Sequence, residues 1–201
     1  MTDVLFALLP HTVLLDVAGP AEAFRMANNF APGSYSLRFV GSTPSVESGV
    51  GLQLSGLRPL PRKLPDGAII VISGVVGRTL DLTAAAVERM AEWLRHAMQN
   101  ETVTLVCVCA GSVVAAKAGV LKGLECTTHY AHLDELKRVE PTAQVHGNRI
   151  FVEEGRVFTS AGVTAGIDLA LHVIGKQLGH RVVAAVARDL VVYMRRAGGD
   201  P

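Results

Sequence analysis

The sequence predicts an α/β fold in which a mostly parallel sheet lies between two layers of helices. Short apolar segments typical of strands alternate along the chain with longer segments of helical periodicity, which is the pattern of βαβ units. Residues 68–72 are apolar without interruption, as in a strand buried on both faces of a parallel sheet. Residues 83–98 place Val87, Met90 and Leu94 on one face, which indicates an amphipathic helix.

The first elements are recognisable from their ends. A strand is predicted at residues 4–9, an apolar run that Pro10 stops. A helix is predicted to begin at Gly19 and Pro20 and to run toward residues 28–29, because proline is favoured at the first helical position. Two elements are expected before the buried strand, namely an alternating strand at 35–41 and a Ser- and Gly-rich hairpin within 43–56.

The second half of the chain continues the alternation of strands and helices. Asp81 or Thr83 is expected to cap the helix at 83–98, and Asn100 to end it. The later elements are expected to be a strand ending at 109, a helix through 115–120, a short helix at 129–139, strands at 144–145 and 149–153 around a turn, a strand at 157–160, a long helix through 167–178 and a last helix at 181–193.

Length and composition exclude several classes of protein. The chain has 201 residues, 49% of them hydrophobic, which fits one domain with a large core. Its net charge of +1 gives no general reason to expect nucleic-acid binding. No apolar run approaches the roughly 18 residues of a membrane span, and the first residues lack a basic secretory segment. Three cysteines give no disulfide framework, so we expect a reducing cytoplasmic location and no membrane.

The most informative stretch ends at Cys109. A β-branched, apolar strand is followed there by Ala110, Gly111 and Ser112, an order that builds a sharp turn from strand to helix, with Ser112 as the expected helix cap. A thiol at the tip of this turn would face the amino end of the next helix, where unpaired N–H groups favour a thiolate. The alternative is a small buried cysteine that ends a core strand.

Two residues are candidates for partners of this thiol. Asp16 follows the first strand between apolar neighbours, so its pKa is expected to be raised and its carboxyl is expected to donate a hydrogen bond to sulfur. Its alternative role is to cap the helix that Pro20 begins. His129, 20 positions after Cys109, is a candidate base, or else a structural histidine.

The loop after the buried strand is a third candidate feature. Backbone N–H groups at Gly74 are placed to stabilise an oxyanion or a ligand carbonyl, or else they belong to an ordinary turn. The small residues at 162–166 suit either an anion site or close packing. Cys126, His129 and His132 recur every three positions without a fourth ligand, so no metal site and no cofactor is predicted.

Taken together, these motifs resemble the ThiJ/PfpI family of the class I glutamine-amidotransferase-like superfamily. The resemblance spans nearly the whole chain and rests on residues 14–20, the Cys109-Ala110-Gly111 turn, residues 127–129 and residues 159–168. It implies a flavodoxin-like three-layer sandwich, an elbow cysteine at Cys109, and a neighbouring acid and histidine at Asp16 and His129. One departure is that Val75 follows Gly74 where enzymes of the family often have two glycines, which favours a ligand pocket over an oxyanion site.

Two branches of the family are alternatives for the function. One is the ligand-sensing domain of AraC-type regulators, which resembles this chain at residues 186–199; the other is a cysteine-dependent enzyme similar to isonitrile hydratase or an amidohydrolase. Our hypothesis is the first, with a sensing domain at 1–194 and the start of a linker at 195–201. A small effector is expected at Gly74, Val75 and Ala110 beside the thiol, the domain is expected to form a homodimer, and DNA is expected to bind only through a separate carboxyl-terminal domain.

Overall fold

The computed structural model describes residues 1–192 and residue 198, and it confirms the predicted fold class. A mostly parallel sheet of seven strands forms the centre of the molecule. The strands, in chain order, are β1 (Thr2–Leu8), β2 (Tyr35–Gly41), β3 (Ser45–Glu47), β4 (Gln53–Ser55), β5 (Arg58–Pro59), β6 (Ile69–Ile72), β7 (Thr104–Val108), β8 (Glu125–Cys126), β9 (Gln144–Val145), β10 (Phe151–Glu154) and β11 (Val157–Ser160).

Six α-helices are present among the described residues, and none of them is long and apolar enough to cross a membrane. One group, α1, α5 and α6, packs together, and a second group is formed by α2, α3 and α4. The helices are α1 (Leu14–Phe30), α2 (Ala85–Ala97), α3 (Gly111–Lys117), α4 (Leu133–Val139), α5 (Ala165–Leu178) and α6 (His180–Asp189), and a 3₁₀ turn at Tyr130–His132 precedes α4.

The strand order of the main sheet is β10-β11-β7-β6-β1-β2-β5. Only the edge pair β10–β11 is antiparallel; the other neighbours run parallel. The hairpin predicted within residues 43–56 forms from β3 and β4, whereas β9 pairs with β8 rather than with β10. The central strands β6 and β7 are buried almost throughout, as their continuous apolar sequences predict.

Register along the central strands brings the candidate residues together. Ile72 of β6 pairs with Cys107 of β7. The chain therefore leaves both strands at the same edge, with Gly74 and Cys109 as neighbours. Ser160, the last residue of β11, pairs with Val108 on the other side of β7, so the loop that follows it also reaches this edge. The carboxyl ends of parallel strands are the usual location of a functional site in such sheets.

The first helix begins earlier than predicted. Helix α1 starts at Leu14, so Pro20 lies inside it rather than at its first position. A proline there cannot donate a hydrogen bond to the carbonyl of Asp16, but its ring is buried and packs close to Gly166 of α5. Tertiary packing thus outweighs the local preference. Asp16 therefore lies in the first turn of α1 and is not a cap for a helix that starts at Pro20.

Other helix ends also differ from the predictions. Neither Asp81 nor Thr83 caps α2; Asp81 instead accepts two bonds from Thr83 in the preceding turn. Helix α3 includes Ser112 and ends at Lys117, so the serine is not its cap and the helix does not extend over 118–120.

The last helix, α6, ends at Asp189 rather than at residue 193. Val191 adopts a left-handed φ of 56°, and the N–H of Val192 bonds to the carbonyl of Ala187 at 2.9 Å, which is the bond of a Schellman turn. The predicted helix end at Tyr193 lies outside the described residues. Of the predicted linker at 195–201, only Gly198 is described, and its carbonyl accepts a bond from Ile150 at 3.1 Å.

Candidate functional site

Cys109 lies in a tight turn between β7 and α3. Its φ of 57° is left-handed, a conformation that a residue with a side chain adopts at some energetic cost. The N–H of Cys109 still bonds to the carbonyl of Ser160 at 3.1 Å, so the residue extends the sheet before the chain turns. The side chain is 5% exposed, at the rim of the core rather than in the middle of the sheet.

Hydrogen bonds from the hydroxyl groups of Thr128 and Ser112 connect this turn to residues 127 and 128. Thr128 Oγ1 donates to the carbonyl of Cys109 at 2.9 Å. The Ser112 hydroxyl lies 2.9 Å from the carbonyl of Thr127 and 3.2 Å from that of Cys109. The N–H of Thr127 in turn donates to Thr159 Oγ1 at 2.9 Å. The strained turn is therefore fixed by side chains from two neighbouring segments.

The carboxyl of Asp16 connects three segments of the site. Its Oδ2 accepts from the N–H of Gly74 at 3.2 Å, and its Oδ1 accepts from the N–H of Val163 at 2.7 Å. It also accepts a hydrogen bond from the Cys109 thiol, which is the reverse of the predicted direction. Asp16 is completely buried. Burial raises the pKa of Asp16, and the two backbone bonds oppose this shift without cancelling it.

Two glycines make room for the thiol and the acid. A Cβ added at Gly74 would lie 2.7 Å from the Cβ of Cys109 and 2.8 Å from Oδ2 of Asp16. A Cβ added at Gly162 would lie 2.8 Å from the sulfur of Cys109. Because real side chains do not approach so closely, both positions admit only glycine without rearrangement. The loop from Gly74 and the loop from Gly162 thus enclose Cys109 from two sides.

The thiol of Cys109 is protonated at neutral pH. Burial, followed by the charge of Asp16, raises its pKa to about 12. The hydrogen bond from the Ala110 N–H lowers the pKa, and the bond to Asp16 raises it. Desolvation and the neighbouring carboxylate therefore outweigh the Ala110 N–H at the amino end of α3, and the predicted thiolate does not form.

His129 begins the 3₁₀ turn and is half-buried. Its Nδ1 accepts from the N–H of Ala131 at 3.4 Å, and its ring lies 4.3 Å from that of Tyr130. Burial, with a smaller contribution from the charge of His132, lowers the pKa of His129. The imidazole is therefore neutral at neutral pH and supplies no positive charge that would stabilise a thiolate.

The backbone groups of Gly74 already form hydrogen bonds within the protein. Its N–H serves Asp16, and its carbonyl accepts from the N–H of Val13 at 2.9 Å. Val75 is half-buried and lies opposite Thr12 in an isolated antiparallel bridge. The Gly74 N–H is thus a support for the acid rather than a donor free for an oxyanion.

One important feature of the site had only a weak sequence signal. Val163 has a left-handed φ of 53°, which is unusual for a β-branched residue, and its N–H reaches Asp16. The small residues at 162–166 indicated that this segment packs closely or binds an anion, but no sequence feature indicated the backbone strain at Val163. Such strain is typical of functional sites, where surrounding contacts maintain it.

A metal site or a cavity in the rest of the described chain would be an alternative functional site. No group of three His, Cys, Asp or Glu side chains in residues 1–192 is arranged to hold a metal ion. Cavities of about 450 and 580 Å³ lie elsewhere, the first beside Arg156 and the second beside Trp93. Arg156 is used structurally, because its guanidinium donates to the backbone carbonyls of residues 98, 100 and 103.

The protonation state of Cys109 leads to a first testable expectation. At pH 8 we expect iodoacetamide to label Cys109 on the order of a thousandfold more slowly than a free thiol, because the thiolate fraction is that much smaller. Mass spectrometry of the native protein measures the rate, and labelling in urea is the control. Labelling within tenfold of a free thiol would contradict the assignment.

Comparisons with known proteins identify the family of the chain. Residues 3–176 match the DJ-1/PfpI family. The HTH-type transcriptional regulator GbdR of Pseudomonas aeruginosa is 29% identical over 194 residues, which cover 94% of this chain and 50% of GbdR. The isonitrile hydratase of Pseudomonas putida is 30% identical over 182 residues, which cover 87% of this chain and 71% of the hydratase.

A solved structure confirms the fold. The AraC family transcriptional regulator from Pseudomonas putida superimposes with a TM-score of 0.81 at 19% identity, over 94% of this chain and all of that chain. At this identity the likeness concerns the fold alone. The chain spans about half the length of the regulators that it matches in sequence.

Proposed function

The chain belongs to the DJ-1/PfpI family, and we propose that it is the ligand-sensing domain of an AraC-type transcriptional regulator. In this proposal a small molecule binds near Cys109, Asp16, His129 and the Gly74 loop. Residues 1–194 form the sensing domain, and residues 195–201 begin the connection to a DNA-binding domain. A homodimer and a cytoplasmic location belong to the same proposal.

Support for a regulator comes first from the relatives. The match to GbdR covers nearly all of this chain but half of that protein, which is described as an HTH-type regulator. The remaining half of the relative therefore has room for a separate DNA-binding part. A sensing role gives this chain a function that does not require it to contact DNA itself, which agrees with its net charge of +1.

The observation that carries the proposal is the resting state of the thiol. Cys109 is 5% exposed, and its pKa is raised to about 12. The charge of Asp16 opposes formation of the thiolate, which is the nucleophilic form of cysteine. A sensor needs only a site whose geometry differs between the free and the bound states.

The site has features that suit such a difference. Cys109 and Val163 both hold left-handed backbone conformations, and Asp16 connects them. A ligand that contacts the Gly162–Val163 loop changes the stability of this arrangement. It shifts the regulator between two states only to the extent that it binds one of them more tightly.

DNA binding by the longer protein tests the proposal. We expect the reading frame to continue past Pro201 into about 100 residues with two helix-turn-helix motifs, and the full-length protein to bind operator DNA. An effector found by thermal shift, at 100 times its Kd, is expected to stabilise the protein by about 2.7 kcal/mol. This corresponds to a rise in Tm of roughly 5–10 °C.

The same experiment includes its control. The variant Cys109→Ala is expected to reduce the thermal shift and to change effector-dependent DNA binding, whereas a surface variant, Glu22→Gln, leaves both unchanged. The proposal would be overturned if the full-length protein failed to bind operator DNA both alone and in the presence of each stabilising compound.

A second candidate function is cysteine-dependent hydration of an isonitrile or hydrolysis of an amide. The hydrogen bond between Cys109 and Asp16 favours it, because the carboxylate is placed to take the thiol proton as sulfur attacks carbon. Turnover of an isonitrile and amide panel by pure, reduced protein, lost in Cys109→Ser, would support this alternative. No turnover by the wild-type protein would exclude it for that panel.

A further inference from the structure

A buried His132–Glu135 pair joins the two loops that flank Cys109. His132 and Glu135 are 2% and 5% exposed, and His132 Nδ1 lies 2.7 Å from Glu135 Oε2. The second carboxylate oxygen, Oε1, accepts from the N–H of Leu80 at 2.8 Å. Glu135 and Leu80 are 55 positions apart, so this contact connects distant parts of the chain.

The first loop runs from Gly74 to Leu80. At its start, Gly74 contacts both Cys109 and Asp16. Next, the N–H of Val76 bonds to the carbonyl of His11 at 2.9 Å. The residues between Val76 and Leu80 are exposed, and Leu80 is buried again. This loop is thus anchored near the thiol at one end and on Glu135 at the other.

The second loop runs from Thr127 to His132. At its start, Thr128 donates to the carbonyl of Cys109. At its end, the N–H of His132 bonds to the carbonyl of His129 at 2.8 Å, and the two imidazole rings lie 6.1 Å apart. Both loops therefore begin at the Cys109 turn and meet again at the His132–Glu135 pair, which closes a ring of contacts.

We infer that His132 and Glu135 are positioning residues that set the separation of these loops and thereby access to Cys109. Replacing a buried polar pair by apolar residues of similar size is often neutral for stability. A pair with one oxygen bound to the opposite loop has a geometric role that apolar residues do not replace. This inference rests on the proposed ligand site at Cys109.

The test replaces the pair by apolar residues and measures labelling of Cys109 by iodoacetamide. In the double variant His132→Phe, Glu135→Met we expect labelling at least tenfold faster than in the wild type, with the same dependence on pH and a similar Tm. Faster labelling with unchanged pH dependence reports access rather than a shifted thiol pKa. The variant Glu135→Gln is expected to remain within about twofold, because an amide can still bond to both partners.

Two controls separate positioning from general loosening. His172 and Glu153 form a pair of the same length, 2.7 Å, on α5 and β10, and the variant His172→Phe, Glu153→Met is expected to leave Cys109 labelling unchanged. Cys107 and Cys126 are completely buried and report opening of the core. Unchanged Cys109 labelling in the double variant, or labelling of all three cysteines to the same extent, would overturn the inference.

A shorter acid provides the test if the double variant does not fold. Glu135→Asp keeps the carboxyl but loses the reach to Leu80, so we expect Cys109 labelling to rise at least threefold. A wild-type rate in folded Glu135→Asp protein would also overturn the inference. None of these measurements uses an effector or DNA. The positioning role and the regulator proposal are therefore tested independently of each other.

Discussion

Replacing Asp16 by asparagine is expected to lower the pKa of Cys109 and to accelerate its alkylation at least tenfold at pH 8. In the wild type the charge of Asp16 and its hydrogen bond to the thiol both raise that pKa. Asparagine removes the charge, so the thiolate becomes easier to form, and each unit of pKa corresponds to a tenfold change in thiolate fraction. Burial, the largest cause of the shift, remains. The pKa of the variant therefore stays above that of a free thiol.

The measurement is the pH dependence of iodoacetamide labelling at Cys109. We expect the midpoint to move down by about one unit or more in Asp16→Asn. The control is Asp3→Asn, which removes a carboxylate on β1 that is paired with Arg38 of β2 at 3.0 Å. An unchanged midpoint in Asp16→Asn would show that the acid does not control the thiol, and would remove the main support for a functional pair.

Asp16→Asn also has an expected structural cost. The N–H groups of Gly74 and Val163 both need an acceptor, and an amide side chain has one oxygen where the carboxylate has two. One of the two donors is left without its acceptor, which costs about 1–3 kcal/mol where it is the buried N–H of Gly74. A fall in Tm together with faster alkylation would indicate that one carboxyl serves both the local structure and the thiol.

The sequence predicted the sheet better than the helix ends. The strands Tyr35–Gly41, Gln144–Val145 and Val157–Ser160 match their predicted limits, because alternation and β-branched composition are local signals. The start of α1 could not be found in the same way. Proline favours the first turn locally, but burial of Pro20 near α5 makes an internal proline acceptable, and this packing has no local signature.

The same division applies to the site. Cys109 and Asp16 were predictable because residues that follow parallel strands meet at one edge of the sheet, and the structure places them in contact. The sequence left open whether Cys109 is a thiolate at a helix amino end or a small buried cysteine, and its burial and raised pKa contradict the thiolate. The helix amino end is visible in the sequence, whereas the burial that dominates the pKa results from the loops at Gly74 and Gly162 packing around sulfur.

The contact between Glu135 and Leu80 is an example of a feature that could not be predicted from the sequence. Asp134 and Glu135 look alike as acids in the first turn of a short helix. Only the fold reveals that Glu135 is 5% exposed and bonded to a backbone N–H from another loop. A single sequence carries no information about which of two neighbouring carboxylates makes such a distant contact.

Adding one methyl group at Gly111 is expected to destabilise the protein by about 3 kcal/mol. A Cβ at this position would lie 2.4 Å from the carbonyl oxygen of Ile72, and backbone of a buried central strand cannot move aside as a flexible side chain does. Helix α3 must therefore shift away from β6, and Cys109 shifts with it. Thermal unfolding of Gly111→Ala measures the effect, with Tm falling by roughly 6–12 °C.

Gly175→Ala is the matched control for this prediction, because the same atom is added where there is space. A Cβ at Gly175 in α5 would meet Val183 at 3.5 Å, an ordinary contact, and alanine is the better helix former by roughly 0.5–1 kcal/mol. We therefore expect Gly175→Ala to raise Tm and Gly111→Ala to lower it. Equal changes in both variants would contradict the view that close contact between α3 and β6 positions the Cys109 turn. A large loss of stability confined to Gly111→Ala, with faster labelling of Cys109, would show that the contact between α3 and β6 determines the geometry of the Cys109 turn.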